Sequence, residues 1–354
     1  MRRISTQNIV EGMMLAKTIY STDARVLLAK GALLQSQYKK RLLDLEIESV
    51  YIEDELSYGI EVQDVISEST RTEAIKSVRN IVRSYTLAQT VDTRPVKEVI
   101  NAIVDDLFYA KDIVINMVDL RAKSDYTFCH MVNVAVLSVI VGISLGYDEL
   151  KLRNLGVGAL LHDIGKIKID ENIYNKPDVL TENEYNEVKR HAEQGFEILR
   201  KIESLNIICA HVAFQHHERF DGLGYPRGLK GTEIHEFARI VALADVFDAL
   251  TASRPYRKEM TPYHAVEYLV AMGGTQFDPH LTQVFIDHIA IYPVGSMVEL
   301  NTKQKAIVVA VDKAYKTRPI VRVLTDGQGQ TLNRIFEVDL RIYPMLFINH
   351  VIEE

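Results

Sequence analysis

Cysteine is nearly absent: Cys129 and Cys209 are the only two in 354 residues. They lie far apart and form neither a disulfide framework nor the CxxC pair of a zinc module, so a reducing, cytoplasmic compartment is expected. Positive charge is not in surplus either. Forty-one Lys and Arg stand against 48 Asp and Glu, a formal charge of -7, which argues against a general nucleic-acid binder. A small anionic ligand is still compatible, because metal ions and a few local cations can reverse the field inside one cleft. The first residues, Met1-Arg2-Arg3-Ile4-Ser5, run into polar sequence and lack the apolar core of a secretory leader. The uncharged stretch 131–147, which directly follows His130, falls short of the ~20 residues of a membrane span. It carries Asn133, Ser138, Ser144 and two glycines, so a buried helix and no membrane insertion are expected. Internal repeats and low-complexity tracts are missing.

What is present is ordinary for a folded protein: 47% hydrophobic and 25% charged residues. The length calls for more than one domain. Residues 1–58 alternate short apolar runs with turn signals and read as a small strand-rich module. Residues 59–109 read as a linker followed by leading helices; from Glu53 to Glu73 no period persists, then Ile75, Val78, Ile81 and Val82 recur at helical spacing. Helices dominate the segment 110–290. Within it, Thr181-Glu182-Asn183-Glu184 has capping-box form and places His191 inside a helix. After Tyr292-Pro293 the pattern turns to short β runs, giving a C-terminal β appendage over 291–354. The fold class expected is mainly α, with a small β-rich module at each end.

Metal-ligand side chains sit in or beside oily helical stretches at His130, His162-Asp163, His191, His216-His217 and Asp245. A carboxylate in such a setting is costly unless it is paired or bound to metal. Each residue alone has a bland explanation. His130 fits a satisfied core histidine, His191 a helix-surface residue, Lys166 a solvated lysine, and Asp245 and Asp248 could cap or pair. Cys129 reads as a small buried residue with no activating neighbour, and His211 as structural. Together the ligand sites are hard to explain as packing. Adjacent residues on a helix point about 100 degrees apart, so an Asp can bridge two metals while its His neighbour binds one.

The run His162-Asp163-Ile164-Gly165-Lys166 followed by His216-His217-Glu218-Arg219-Phe220-Asp221-Gly222-Leu223-Gly224-Tyr225-Pro226 resembles the two signature motifs of the HD-GYP phosphodiesterases. Ala244-Asp245-Val246-Phe247-Asp248-Ala249-Leu250, Arg254-Pro255-Tyr256-Arg257 and Gly274-Thr275-Gln276-Phe277-Asp278-Pro279 resemble that family's later motifs in the same order. The resemblance covers roughly residues 110–290; residues 1–58 are more weakly similar to an accessory domain found ahead of such domains.

The resemblance implies a helical metallophosphohydrolase that opens cyclic di-GMP to linear pGpG, with onward cleavage to GMP left open. It implies metal binding by His130, His162, Asp163, His191, His216, His217 and Asp245, with Asp163 bridging and Asp163 and Lys166 catalytic. Lys166, Arg254 and Arg257 would contact substrate phosphate. Gly222, Gly224, Tyr225 and Pro226 would border the cleft and offer a surface to protein partners. Mixed His and carboxylate ligands suit two divalent ions of iron, manganese or zinc. A homodimer is compatible and direct DNA binding is not expected. The alternatives are an inactive cyclic-dinucleotide sensor and a phosphohydrolase for another nucleotide. One position departs from the pattern: some members place a Glu four residues before the first His to hold a third metal, and here it is Tyr126, with Asp125 beside it. Two metals rather than three are therefore expected.

Overall fold

The computed structural model describes residues 1–352 apart from 22–24, 46, 89, 91, 110–125, 175, 177 and 253–259. The N-terminal part comprises β1 (Arg2–Ser5), β2 (Met14–Leu15), β3 (Ile19–Tyr20), β4 (Val26–Leu28), α1 (Ser36–Asp44) and β5 (Ser49–Glu53). β5 is the middle strand of an antiparallel sheet ordered β1-β5-β2, with Arg2 opposite Ile52 and Met14 opposite Glu53. Strands β3 and β4 pair as a separate ribbon. Val50 and Ile52 turn one face of β5 onto Ile4, Leu15, Leu34 and Leu42. Tyr51, between them, serves the opposite face, as the two-residue period of a strand requires.

The helical part runs α2 (Glu68–Ala88), α3 (Arg94–Tyr109), α4 (Tyr126–Ser144), α5 (Glu149–Leu160), the short α6 (Glu171–Tyr174), α7 (Glu182–Lys189), α8 (His191–Leu199), α9 (Ile207–Gln215), α10 (Glu236–Thr251), α11 (Pro262–Ala271) and α12 (Pro279–Ile286). α4 is its central post, packed on α5, α10, α2 and α12. Its Val and Ile residues are mediocre helix formers, at up to ~0.7 kcal/mol each relative to Ala. Burial of each such side chain contributes ~1.5–3 kcal/mol, so packing outweighs propensity. Val132, Val134, Val136, Leu137 and Val139 are fully enclosed. By length and composition α4 could cross a membrane, but 78% of the stretch Thr127–Ser144 is buried inside the protein, which marks a core helix.

The C-terminal part is a five-stranded antiparallel sheet ordered β10-β6-β7-β8-β9, built from β6 (Met297–Leu300), β7 (Lys305–Ala310), β8 (Ile320–Thr325), β9 (Thr331–Asp339) and β10 (Ile348–Ile352). Val298, Leu300, Ala306, Val308, Val321 and Val323 fill one face. Met297, Ile307 and Leu324 on the other meet Ala16, Tyr51, Ile60 and Val62. The stretch ahead of α2 is thus more than a linker. Ile60, Val62, Val65 and Ile66 are buried one by one into neighbouring surfaces, which is why no period shows in the sequence. Its backbone is tied down as well: the Met1 amino group donates to the carbonyls of Ser57 and Ile60, and Arg322 to those of Leu56 and Tyr58.

Candidate metal centre

Five segments deliver the polar cluster to the middle of the helical part. His130 lies early on α4; His162 and Asp163 follow α5 in the turn before a 3-10 segment, Ile164–Lys168; His191 opens α8; His216 caps α9, with His217 next; Asp245 sits within α10. Thr181 and Glu184 do close a capping box on α7. That helix ends at Lys189, however, and Arg190 joins it to α8, so His191 stands at a helix start rather than inside one. The break lets the His191 ring turn back and its Nδ1 donate to the Val188 carbonyl at 2.6 Å.

Three other rings are fixed in the same manner. Nδ1 of His162 donates to the Ala159 carbonyl at 2.7 Å and Nδ1 of His216 to that of Ala213 at 2.9 Å. Nδ1 of His130 donates to the Asp248 carboxylate at 2.7 Å. With Nδ1 committed to these acceptors, Nε2 of each ring faces the centre, the arrangement that outer hydrogen bonds impose on metal-binding imidazoles.

Asp163 stands between two groups of ligands. Its Oδ1 lies 3.5 Å from His191 Nε2 and 3.8 Å from His216 Nε2. Its Oδ2 lies 3.4 Å from His162 Nε2 and 3.8 Å from His130 Nε2. Ligand atoms of Asp163, His191, His216 and His217 fall within 4.8 Å of one another, as do those of His130, His162 and Asp245. Asp245 approaches His130 Nε2 at 3.0 Å, and its other oxygen lies 4.0 Å from His217 Nδ1.

Two observations test whether a metal fits. The buried atoms His162 Nε2 and Asp163 Oδ1 have no hydrogen-bond partner, an arrangement that is costly for polar atoms unless a cation binds them. His191 Nε2 and His216 Nε2 also face each other at 3.3 Å, although both rings spend their Nδ1 proton on carbonyls. A divalent cation at each group of ligands would satisfy these atoms, and the residues fit such ions.

Electrostatics agree. Burial, then neighbouring imidazoles, hold His216 well below its ordinary pKa; burial and His191 bring His217 down to about 3; burial lowers His191 too. All three rings are neutral donors at pH 7. Burial disfavours charge on His130, but Asp245 and Asp248 outweigh it and raise its pKa to about 10. The same carboxylate field attracts a metal in place of that proton. Burial also opposes the Asp163 anion, yet Lys166 and His162 hold its pKa well below the carboxylate range. Lys166 Nζ donates to Asp163 Oδ2 at 2.5 Å, which pairs it with the central carboxylate.

The 222–226 loop closes one side. Gly224 is pressed so tightly onto the preceding turn that a Cβ would overlap the Arg219 nitrogen and come 2.5 Å from Glu218 Cα. Buried Glu218 accepts the N–H groups of Arg227 and Leu229 at 2.8 and 3.0 Å, which ties the far end of the loop to the histidine pair. Tyr225 stacks on His217, centroids 4.8 Å apart and planes at 29°. Phe220 and Asp221 donate to the carbonyls of Gln276 and Thr275, so the motif 274–279 buttresses the loop from behind.

All seven expected ligands thus meet in one place, with Lys166 and the 222–226 loop beside them. Arg254, Arg257, Asp125 and the Tyr126 side chain lie outside the described residues. Glu218 and Asn133 were not singled out from sequence as parts of the site. The signal for Glu218 is a carboxylate directly after a buried His pair; for Asn133 it is an amide one helical turn from His130.

Two family models match the chain: "HD domain" over residues 115–281 and "KOW domain associated with HD domain" over 297–354. A cyclic di-GMP phosphodiesterase of Pseudomonas aeruginosa is 31% identical over 254 residues, 72% of this chain and 61% of that protein. The cyclic di-GMP phosphodiesterase response regulator RpfG of Xanthomonas campestris pv. campestris is 45% identical over 148 residues, 42% of this chain and 39% of that one. The 3'3'-cGAMP-specific phosphodiesterase 2 of Vibrio cholerae is 36% identical over 193 residues, 54% of this chain and 37% of that one. The chain therefore spans 61% or less of the length of each of these relatives.

Proposed function

This chain belongs to the HD domain family through residues 115–281, and from that premise we propose that it is a metal-dependent phosphodiesterase that hydrolyses cyclic di-GMP. The observation that carries the reading is the position of Asp163, one oxygen turned to His191 and His216 and the other to His162 and His130. Such a carboxylate suits two divalent ions of iron, manganese or zinc, each completed by its own imidazoles. The ions, when bound, supply a hydroxide at neutral pH and stabilise the attacking and leaving oxygens of an in-line displacement at phosphorus.

The chain's own residues set the geometry. Nδ1 acceptors hold four imidazoles in the tautomer that leaves Nε2 as donor. Asp245, between His130 and His217, also spans the two ligand groups. Lys166, anchored by Asp163 at the rim, offers an ammonium to a phosphoryl oxygen of the substrate, and its charge counts for more as negative charge grows there. Arg254 and Arg257 are assigned to the flanking phosphate, where guanidinium groups bind in bidentate fashion. Tyr225, stacked on His217, forms the wall against which the dinucleotide rests, and Leu223 at the exposed loop tip suits contact with a protein partner.

The test is Asp163→Asn, which keeps the size of the side chain and removes the anion between the two groups. Metal content and cyclic di-GMP turnover should collapse together. Full metal with near wild-type turnover would show that Asp163 does not bridge.

A further inference from the structure

His130 reaches the centre through a line of buried hydrogen bonds that begins outside the helix carrying it. Its Nδ1–H donates to Asp248 Oδ2 at 2.7 Å. Asp248 Oδ1 accepts from the Asn133 amide at 2.8 Å. Asn133 Oδ1 in turn accepts from the Arg71 guanidinium of α2 at 2.7 Å. Asp248, Asn133 and His130 are all buried, against the apolar body of α4 and α10.

The donor and acceptor roles leave little freedom along this line. A guanidinium has only donors, so Asn133 must present its oxygen to Arg71 and its NH2 to Asp248. Asp248 is then held between two donors, with one oxygen committed to His130 Nδ1. That contact in turn points His130 Nε2 at Asp245 and Asp163, the position from which it would bind a metal. Arg71 thus places a cationic donor at the outer end of the line that fixes Asp248.

We propose that Arg71 is a positioning residue for the metal centre, acting through Asn133 and Asp248 to orient His130. The inference rests on the metal-dependent reading above and extends it: α2 belongs to the centre rather than serving as a spacer ahead of it. Sequence separation hides this, since Arg71 and Asn133 are 62 positions apart.

The test uses the full chain and Mn2+ alone, with affinity read by competition against a fluorescent chelator. Arg71→Met keeps the aliphatic stem and removes the donors; it should weaken one Mn2+ per chain about tenfold, the low end of the ~10–100-fold cost of losing an outer partner. Arg71→Lys restores one donor and should recover most of that loss, leaving a deficit of about threefold on the same scale. Arg79→Met changes another arginine of α2, whose guanidinium lies over the Phe128 ring, and should leave the affinity at the wild-type value. Wild-type affinity in Arg71→Met would overturn the proposal. An equal loss in Arg79→Met would also do so, because the effect would then belong to docking of α2. Should Arg71→Met fail to fold, Arg71→Ala takes its place, and wild-type affinity in that variant would overturn the proposal. A wild-type chain that holds no divalent metal would overturn the parent reading, and this one with it.

Discussion

Gly165 in the His162-Asp163-Ile164-Gly165-Lys166 run gives a sharp perturbation of the centre that alters no ligand side chain. The 3-10 segment it belongs to lies directly on α8. A Cβ at Gly165 would overlap the His191 carbonyl and meet the Gly195 nitrogen at 2.5 Å, where real contacts begin near 3.0 Å. Both neighbours are backbone, so no side chain can swing aside, and the Asp163 turn and the His191 helix must separate. Overpacking of this kind costs ~1–3 kcal/mol of stability. The functional cost is larger, because the separation falls on the 3.5 Å approach of Asp163 Oδ1 to His191 Nε2. A misplacement of ~1 Å at a catalytic constellation can cost ~100-fold in rate. Gly165→Ala should therefore melt a few degrees lower while kcat/KM for cyclic di-GMP falls about a hundredfold and bound metal is partly lost. Turnover within twofold of wild type at full metal content would refute the reasoning, since it would mean that the close approach does not set the ligand geometry.

Three further outcomes follow from the same geometry. Glu218→Gln keeps one acceptor for two backbone N–H groups, so the 222–226 loop should loosen and KM for the dinucleotide rise several-fold, while hydrolysis of a small phosphodiester such as bis(p-nitrophenyl) phosphate changes little; parallel losses on both substrates would contradict a loop-positioning role. Arg254→Ala should raise KM for cyclic di-GMP with an unchanged melting temperature, and unaltered kinetics would return Arg254 to the surface. Burial, helped by Lys313, lowers the pKa of His288 from 6.5 to about 4, so the unfolded chain binds more protons between these values. Stability from keeping His288 neutral is complete above pH 6.5 and lost as pH falls towards 4, and His288→Gln should flatten that part of the melting curve; an identical slope in the variant would contradict the assignment.

The cluster of histidines and carboxylates stood out in the sequence because such side chains inside oily helices are costly unless something binds them. The helical body and the β-rich ends were legible from periodicity, and α4 from its lack of charge. What escaped detection depends on tertiary contacts. Asp248 could not be told from a cap until His130 Nδ1 was found beside it, and Glu218 until Arg227 and Leu229 turned their N–H groups onto it. The stretch 54–67 looked like a linker because Ile60 and Val62 fit the face of the distant C-terminal sheet, which imposes no local period. The break at Arg190 went unseen because 182–199 keeps helical composition across it.

The central claim is that these seven side chains make a metal-dependent phosphodiesterase. Its most direct test is a chromatographic assay on chelator-stripped protein, before and after Mn2+ or Fe2+ is restored, against cyclic di-GMP, 3'3'-cGAMP and hyperphosphorylated guanosine, with metal counted in the same samples. The stripped protein should be inert, take up about two ions per chain on reconstitution as in two-metal phosphodiester chemistry, and convert cyclic di-GMP to the linear dinucleotide only then. Hydrolysis that persists without metal, or a fully metallated protein that opens no cyclic dinucleotide, would contradict it.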